Sequence, residues 1–471
     1  MEKYTQLLTE LNSNIWDFSE LKFCEYRSAQ VMIDLLRNEG FSVKVGLAGM
    51  DTAFTAAIGN GHPVIGLLAE FDALSGLSQC ADIAVPRPRG GTENGHGCGH
   101  NLLGTASVGA ALMLRDYLAE HKQQSGTVIL IGCPAEEGGS GKTYLARAGV
   151  FAALDLALTW HPGGGNAVVT GSMQANCQAY FRFKGISSHA AATPYLGRSA
   201  LDAVELMNVG ANYMREHIEP TDRLHYAVTD TGGISPNVVQ NHAEVLYLIR
   251  STTSEKVKAL YDRVCKIAQG AALMTETQVE IVFDKACSNI LSNSVLEQLL
   301  YESLCAVPLP QYTPEELEFA QAIKETYQHI DPSTDLSLMG IRDPEKAVLA
   351  QKYKMLPMAN FVVEYHHENM DIPGSSDVGD CSHVIPTGQF IGACFATGTP
   401  AHSWQMVAQG KSGTAVKGML YAAKVLAYAG QKIFENPEIS EAAHREFIDK
   451  TGGKPYSCPI PPDVLPNMNA K

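Results

Sequence analysis

Val64-Ile65-Gly66-Leu67-Leu68-Ala69 is an unbroken apolar run of strand length. A strand without a polar face is buried on both sides, as happens inside a parallel sheet covered by helices. Working outward, Thr127-Val128-Ile129-Leu130-Ile131-Gly132 has the same character, and so has Leu154-Asp155-Leu156-Ala157-Leu158-Thr159-Trp160. Residues 101–121, between the first two runs, are rich in Ala and Leu and predict a helix. Strand, helix, strand in this order predicts an α/β sandwich on a mainly parallel sheet.

The texture changes after about residue 175. Residues 178–183 alternate as a half-exposed strand does, 198–217 are helical, and 224–229 and 243–249 are strands. A helix over 255–274 and a strand over 279–283 complete the set. This is the split β-α-β order of a ferredoxin-like α+β unit. The spacing therefore predicts a discontinuous α/β domain, 1–176 and 291–471, with a second domain, 177–290, inserted into it. Beyond 291, helices are expected over 294–305, 314–329 and 411–430, with a strand over 390–396. Residues 331–376 are less regular, and the tail from about 436 reads as one short helical stretch followed by Pro-rich coil.

Composition narrows the function. The 471 residues suit two to four domains, and 45% hydrophobic with 18% charged residues is globular rather than disordered. The formal charge of −15 comes without any basic cluster, which argues against nucleic-acid partners and an anionic membrane surface. No apolar run approaches the roughly 18–20 residues of a spanning helix. The polar start, Met1-Glu2-Lys3-Tyr4, has no signal-peptide core behind it, so a cytoplasmic location is expected. Eleven scattered Cys form no disulfide framework and fit reduced thiols.

The chemistry concentrates in loops. Gly95-His96-Gly97-Cys98-Gly99-His100-Asn101 is Gly-rich and precedes a predicted helix. Cys98 and His100 can turn onto one point, and thiolate with imidazole suits Zn²⁺ and its neighbours. A tight turn with an incidental Cys fits that spacing equally well. Pro134-Ala135-Glu136-Glu137-Gly138-Gly139 follows a predicted strand, at the end where parallel sheets bind ligands. Two adjacent carboxylates can divide their work, one binding a metal and one acting as general base. A solvated helix start is the plainer explanation for a lone Glu-Glu pair. Trp160-His161-Pro162 and Pro400-Ala401-His402-Ser403 each place a His after a predicted strand. Glu70-Phe71-Asp72 ends the first strand and offers a carboxylate to orient a metal-binding imidazole. Each motif alone has a structural explanation. Together they bring Cys, His and Glu to one edge of one sheet.

In this order the motifs resemble the aminoacylase and carboxypeptidase family of two-metal amidohydrolases. The likeness is to the branch with Cys-Gly-His, here Cys98-Gly99-His100, where other members hold a bridging Asp. Hippurate, indole-acetyl-amino-acid and aminobenzoyl-glutamate hydrolases belong to that branch. The resemblance covers most of residues 1–435. The form Gly-His-Gly-Cys-Gly-His-Asn-Leu-Leu-Gly, with the long irregular stretch 308–376, is similar to its aminobenzoyl-glutamate members.

The resemblance implies two divalent ions, Zn²⁺ or Mn²⁺, bridged by Cys98 and completed by His100, Glu137, His161 and His402. It implies Glu136 as general base and Asp72 as the residue orienting a ligand. Much of the wider family has His-x-Asp after the first strand; this chain has Glu70-Phe71-Asp72, and Glu70 is not assigned as a ligand. The inserted domain is implied to dimerise and to lend His189, in Ser187-Ser188-His189-Ala190-Ala191, to the partner's site as an oxyanion donor. Without the family context His189 reads as an exposed turn residue. Asn237 and Arg250 stand where relatives hold substrate. Arg250 would pair with a carboxylate in bidentate fashion, or else be a solvated strand-end Arg.

The expected activity is metal-dependent hydrolysis of the amide of an N-acyl or aminobenzoyl amino acid. The alternatives are dipeptides, indole-acetyl or β-alanyl conjugates, or a non-catalytic partner subunit that keeps the fold. The intact ligand set with Glu136 speaks against the last. The expected partners are a small-molecule substrate and a second copy of the chain, with a homologous A subunit as a further candidate.

Overall fold

The computed structural model describes residues 2–327, 343–367, 371–372 and 374–467. The chain divides into two compact units. The first is Met1–Ser172, Ile290–Ser457 and Pro466–Lys471; the second is Met173–Asn289 and Cys458–Leu465.

The strands of the first unit are β1 Ser42–Val45, β2 Phe54–Asn60, β3 Val64–Glu70, β4 Gly126–Cys133, β5 Leu156–Gly163 and β6 Ala167–Val168. The second unit holds β7 Ala175–Lys184, β8 Arg223–Asp230, β9 His242–Ser251 and β10 Gln278–Cys287; β11, Thr387–Ala393, returns to the first. Among the described residues, seven strands form the first unit's sheet in the order β1-β2-β4-β3-β5-β11-β6. The centre, β4-β3-β5-β11, is parallel throughout, with Val64 opposite Thr127, Ile65 opposite Leu156 and Thr387 opposite Ala157. β1, β2 and β6 add antiparallel edges.

Every residue of β3 is buried, as the apolar run predicts. The covering helix His100–Glu120 is buried along its first three turns. It packs beside the helix Gly413–Glu435, whose N-cap Ser412 accepts from the Ala415 amide. Gly109 makes the close approach possible, because a Cβ there would stand 2.8 Å from Leu8 Cδ1 and 3.1 Å from Ala423 Cβ. Trp160 on β5 is fully buried, stacks on Phe390 of β11 and donates its indole N–H to Leu103 O at 3.1 Å. Burial of such large side chains is worth roughly 1.5–3 kcal/mol each. It fixes the sheet whose C-terminal edge carries the loops described below.

In the second unit the sheet order is β10-β7-β9-β8, antiparallel throughout, with helices Ala200–Met214 and Ser254–Thr275. Burial alternates along β7 and β9, so one face is covered and the other is open. Phe181 and Tyr247 meet edge to face on the covered side. β8 lies at the edge and is almost wholly exposed.

Several details depart from the sequence expectations. β1 and β2 have no counterpart among the expected strands. β1 is short and mostly exposed, so it carries no hydrophobic period to read. The unit boundary falls at Met173, a few residues before 177, and the Pro-rich segment Cys458–Leu465 groups with the second unit rather than the first. Ile460, 2% exposed, is its buried residue. The stretch 331–376 contains a helix, Asp343–Met355, held by Leu349 and Tyr353 one turn apart and both buried. The rest of that stretch lies partly outside the described residues, as do positions 328–329 of the helix expected over 314–329, which ends at Glu325. The insertion leaves and re-enters the first unit side by side, with the Ser172 hydroxyl donating to Ile290 O at 2.8 Å. No described helix is long and apolar enough to cross a membrane, and none of the eleven Cys is in a disulfide.

Candidate metal centre

Because β4, β3, β5 and β11 run parallel, their C-terminal ends share one edge. β3 delivers Glu70 and then Asp72. β4 leads into Glu136 and Glu137, β5 carries His161, and the loop after β11 brings His402. The Gly95–Gly99 loop adds Cys98 and leads into His100, the first residue of the long helix. Gly99 is left-handed at φ 78°, and a Cβ there would meet Pro162 Cγ at 2.7 Å and Phe395 Cζ at 2.9 Å. Only glycine lets Cys98 and His100 turn inward against those neighbours. The His402 amide donates to Gly97 O at 2.9 Å, strapping the β11 loop to the Cys98 loop.

Donor atoms converge in three overlapping triads: Cys98 with His100 and His161, Cys98 with Glu137 and His402, and Glu70 with His100 and Glu136. Within each, the atoms lie within 4.8 Å of one another. Cys98 Sγ is 3.4 Å from His161 Nε2, and His402 Nε2 is 3.5 Å from Glu137 Oε2. Cys98 belongs to two triads, and so does His100, which the first and third share.

The imidazoles are set for coordination. His161 Nδ1 lies 2.9 Å from Pro162 O, which can only accept, so the proton sits on Nδ1 and Nε2 presents a lone pair towards Cys98. Burial and the nearby His100 push the His161 pKa down to about 3 and keep the ring neutral. His100 Nδ1 is held by Asp72 Oδ1 at 2.9 Å. Its Nε2 has no hydrogen-bond partner although fully buried, and neither has Glu137 Oε1. Buried orphan donors and acceptors are costly unless something fills the gap. Burial and Glu137 push the Cys98 thiol well up, while burial and His100 and Glu136 leave Glu137 at about 8. Groups that burial holds protonated in this way give up their protons to a bound cation, and a coordinated thiol is deprotonated outright. Thiolate, imidazole and carboxylate in two triads with a shared sulfur fit a pair of borderline divalent ions.

The two glutamates sit on a strained turn. Glu136–Gly139 is a single helical turn flanked by left-handed Ala135 (φ 61°) and Ser140 (φ 55°). Left-handed residues other than glycine cost energy and persist where the surroundings hold them. Here the buried Glu25 accepts the Ala135 N–H at 2.8 Å and the Thr52 hydroxyl at 3.0 Å, while Asp72 Oδ2 accepts the Glu137 N–H at 2.9 Å. Asp72 thus orients His100 through one oxygen and the glutamate turn through the other. Burial opposes its charge, yet His100 and the Glu137 N–H hold its pKa below the usual carboxylate value. Asp72→Asn is expected to weaken metal retention by roughly 10–100-fold, the usual cost of losing an outer partner. Metal content after dialysis against a graded chelator measures it; unchanged retention would remove Asp72 from this role.

His189, Asn237 and Arg250 belong to the second unit, whereas every residue of the three triads belongs to the first. The structure brings His189 and Asn237 together, with the Ala190 N–H donating to Asn237 O at 3.0 Å, and both side chains are exposed. His189 Nδ1 accepts from the amides of Ala191 and Ala192, each at 3.2 Å, which puts the ring proton on Nε2 as an outward donor. Arg250 lies on β9 opposite Asn176 and Arg223, half-buried, and burial lowers its pKa.

Three charged residues of this region have no counterpart in the sequence reading. Glu25 is a solitary acid between two helices and gave no signal. Lys142 and Asp377 are 235 residues apart, and only the fold joins them.

The family model described as peptidase family M20/M25/M40 matches residues 69–304. The p-aminobenzoyl-glutamate hydrolase of Escherichia coli (strain K12) has a B subunit that is 46% identical over 468 residues, covering 99% of this chain and 97% of that protein. An Xaa-Arg dipeptidase of Mus musculus is 30% identical over 292 residues, 60% of this chain and 63% of that one. The solved structure of a Bacillus subtilis protein, described as a dinuclear metal binding peptidase from the M20 family, superimposes with a TM-score of 0.55 at 17% identity, covering 92% of this chain and 99% of that chain.

Proposed function

Because the chain belongs to peptidase family M20/M25/M40 and is a metal-dependent amide hydrolase, we propose that its substrate is an N-acyl amino acid of the p-aminobenzoyl-glutamate kind. The observation that carries this is a Cys98 sulfur common to two ligand triads, with the acid Glu136 beside them, in a chain 46% identical to a hydrolase of that name. In this reading Cys98, His100 and His161 would hold one ion, and Cys98, Glu137 and His402 would hold the other. Zn²⁺ and Mn²⁺ are the candidates. When bound, such a pair lowers the pKa of a shared water and polarises the amide carbonyl.

The chain's own groups do the rest. Glu136 takes a proton from the attacking water and later delivers it to the leaving amine, so the C–N bond breaks with a neutral amine departing. Burial, with Glu70 nearby, raises the Glu136 pKa and makes it a better proton acceptor than an ordinary carboxylate. His189, with its outward Nε2–H, stabilises the tetrahedral oxyanion from a partner copy. Asn237 and Arg250 hold the substrate, Arg250 through its carboxylate. Dimerisation through residues 177–290 is the proposed assembly, and a homologous A subunit is the alternative suggested by the name of the Escherichia coli relative. The proposed location is the cytoplasm, supported by eleven Cys that form no disulfide framework.

The test is a mass-spectrometric hydrolysis screen of the purified protein on p-aminobenzoyl-glutamate, indole-acetyl-aspartate, hippurate, acetylated amino acids, and Xaa-Arg and β-alanyl dipeptides. Each substrate is run with Mn²⁺, with Zn²⁺ and with chelator. Cleavage of p-aminobenzoyl-glutamate, abolished by chelator, is the expected result. Preference for the dipeptides would transfer the substrate class, and silence on all would sink the substrate proposal for the isolated chain.

A further inference from the structure

The triad of Glu70, His100 and Glu136 is left without a role in this scheme, and a fully buried lysine stands against it. Lys142 Nζ lies 2.6 Å from Glu70 Oε1 and 2.6 Å from Asp377 Oδ1, while its backbone N–H donates to Asp377 Oδ2 at 2.8 Å. The other Glu70 oxygen, Oε2, is 3.3 Å from His100 Nε2. Glu70 therefore faces the ammonium on one side and the ligand cluster on the other. Among the described residues, the carboxylate of the Cys98 triads, Glu137, is paired with His402 and with no lysine or arginine. The third triad has a buried lysine against its carboxylate; the two sharing Cys98 do not.

The third triad also competes with the first. His100 Nδ1 is committed to Asp72, so Nε2 can serve a single ion. The first triad, with Cys98 and His161, keeps His100, so an ion held between the carboxylates of Glu70 and Glu136 would be an added one, and it would consume Glu136.

We propose that Lys142 is the resident cation of the third triad: by pairing with Glu70 it keeps that carboxylate from becoming a ligand, restricts the centre to the two Cys98 positions and leaves Glu136 uncoordinated. This rests on the two-ion reading above. Lys142 is a positioning residue, since it acts through Glu70 and Glu136. The buried pair also explains why the chain tolerates a lysine with no exposure. Charges buried without partners are expelled or neutralised, and Asp377 and Glu70 supply partners on both sides.

The experiment counts ions by plasma mass spectrometry in full-length protein dialysed against Mn²⁺ and then against metal-free buffer. Lys142→Met is expected to hold one more ion per chain than the wild type and to turn over roughly 10²–10⁴-fold more slowly, as loss of a general base does. The double variant Lys142→Met, Glu70→Gln is expected to return to the wild-type count. A folded Lys142→Met protein, judged by circular dichroism, with the wild-type count would overturn the proposal. Should Lys142→Met not fold, Glu70→Gln alone decides: an unchanged count upholds the proposal, and loss of an ion overturns it, because Glu70 would then be a ligand. A wild type with fewer than two ions contradicts the dinuclear reading instead, and the difference between variant and wild type still reports on Lys142.

Discussion

Glu136→Gln is expected to retain its full metal complement and to lose activity by roughly 10²–10⁴-fold, about 3–5 kcal/mol of barrier. Glutamine has the size of glutamate, so the strained turn between Ala135 and Ser140 keeps its packing. The hydrogen bonds holding that turn involve Glu25, Thr52 and Asp72 and the backbone of Ala135 and Glu137, none of which the substitution alters. Glu136 is absent from both triads that contain Cys98, so their donors are untouched. What disappears is the ability to accept a proton. Single-turnover kinetics and ion counting on one preparation check it. Loss of an ion would exchange the proposed roles of Glu136 and Glu137; unchanged turnover would move the base elsewhere.

Cys98→Ser is expected to strip the centre more severely than Asp72→Asn does. The sulfur is common to the two triads proposed to hold the ions, so its loss weakens both positions together. A serine hydroxyl is a poor ligand at neutral pH, because it remains protonated where a coordinated thiol does not. Retention should fall beyond the roughly 10–100-fold typical of an outer partner. Activity at ordinary metal concentration should vanish, with partial recovery only under excess Mn²⁺. Titration of the metal-free variant followed by calorimetry would show it. Two ions bound at wild-type affinity would eliminate the bridge.

Much of this architecture was legible because burial leaves a mark on sequence. β3, β4 and β5 are apolar runs, and β7 and β9 alternate, so their elements and the ferredoxin-like order follow from period alone. The ligand loops were legible for another reason: Gly-flanked Cys, His and Glu after buried strands have few structural uses. What escaped was either exposed or joined at long range. β1 has little burial to pattern it. Glu25 acts through an amide 110 residues away, and Lys142 through an acid 235 residues away, so neither leaves a local motif. The left-handed backbone at Ala135 and at His402 is equally silent, since neither residue type announces a positive φ.

The Ser172–Ile290 hydrogen bond ties together the two ends of the main excursion into the second unit. That excursion departs and returns at one doorway, while Cys458–Leu465 of the tail also groups with the second unit. Closure cost grows only with the logarithm of loop length, so a long detour is thermodynamically little dearer than a short one. The candidate metal ligands and the loop of His189 lie on separate stretches of the chain. A graft across this doorway exchanges the edge strand and the His189 loop while Cys98 and its neighbours keep their places.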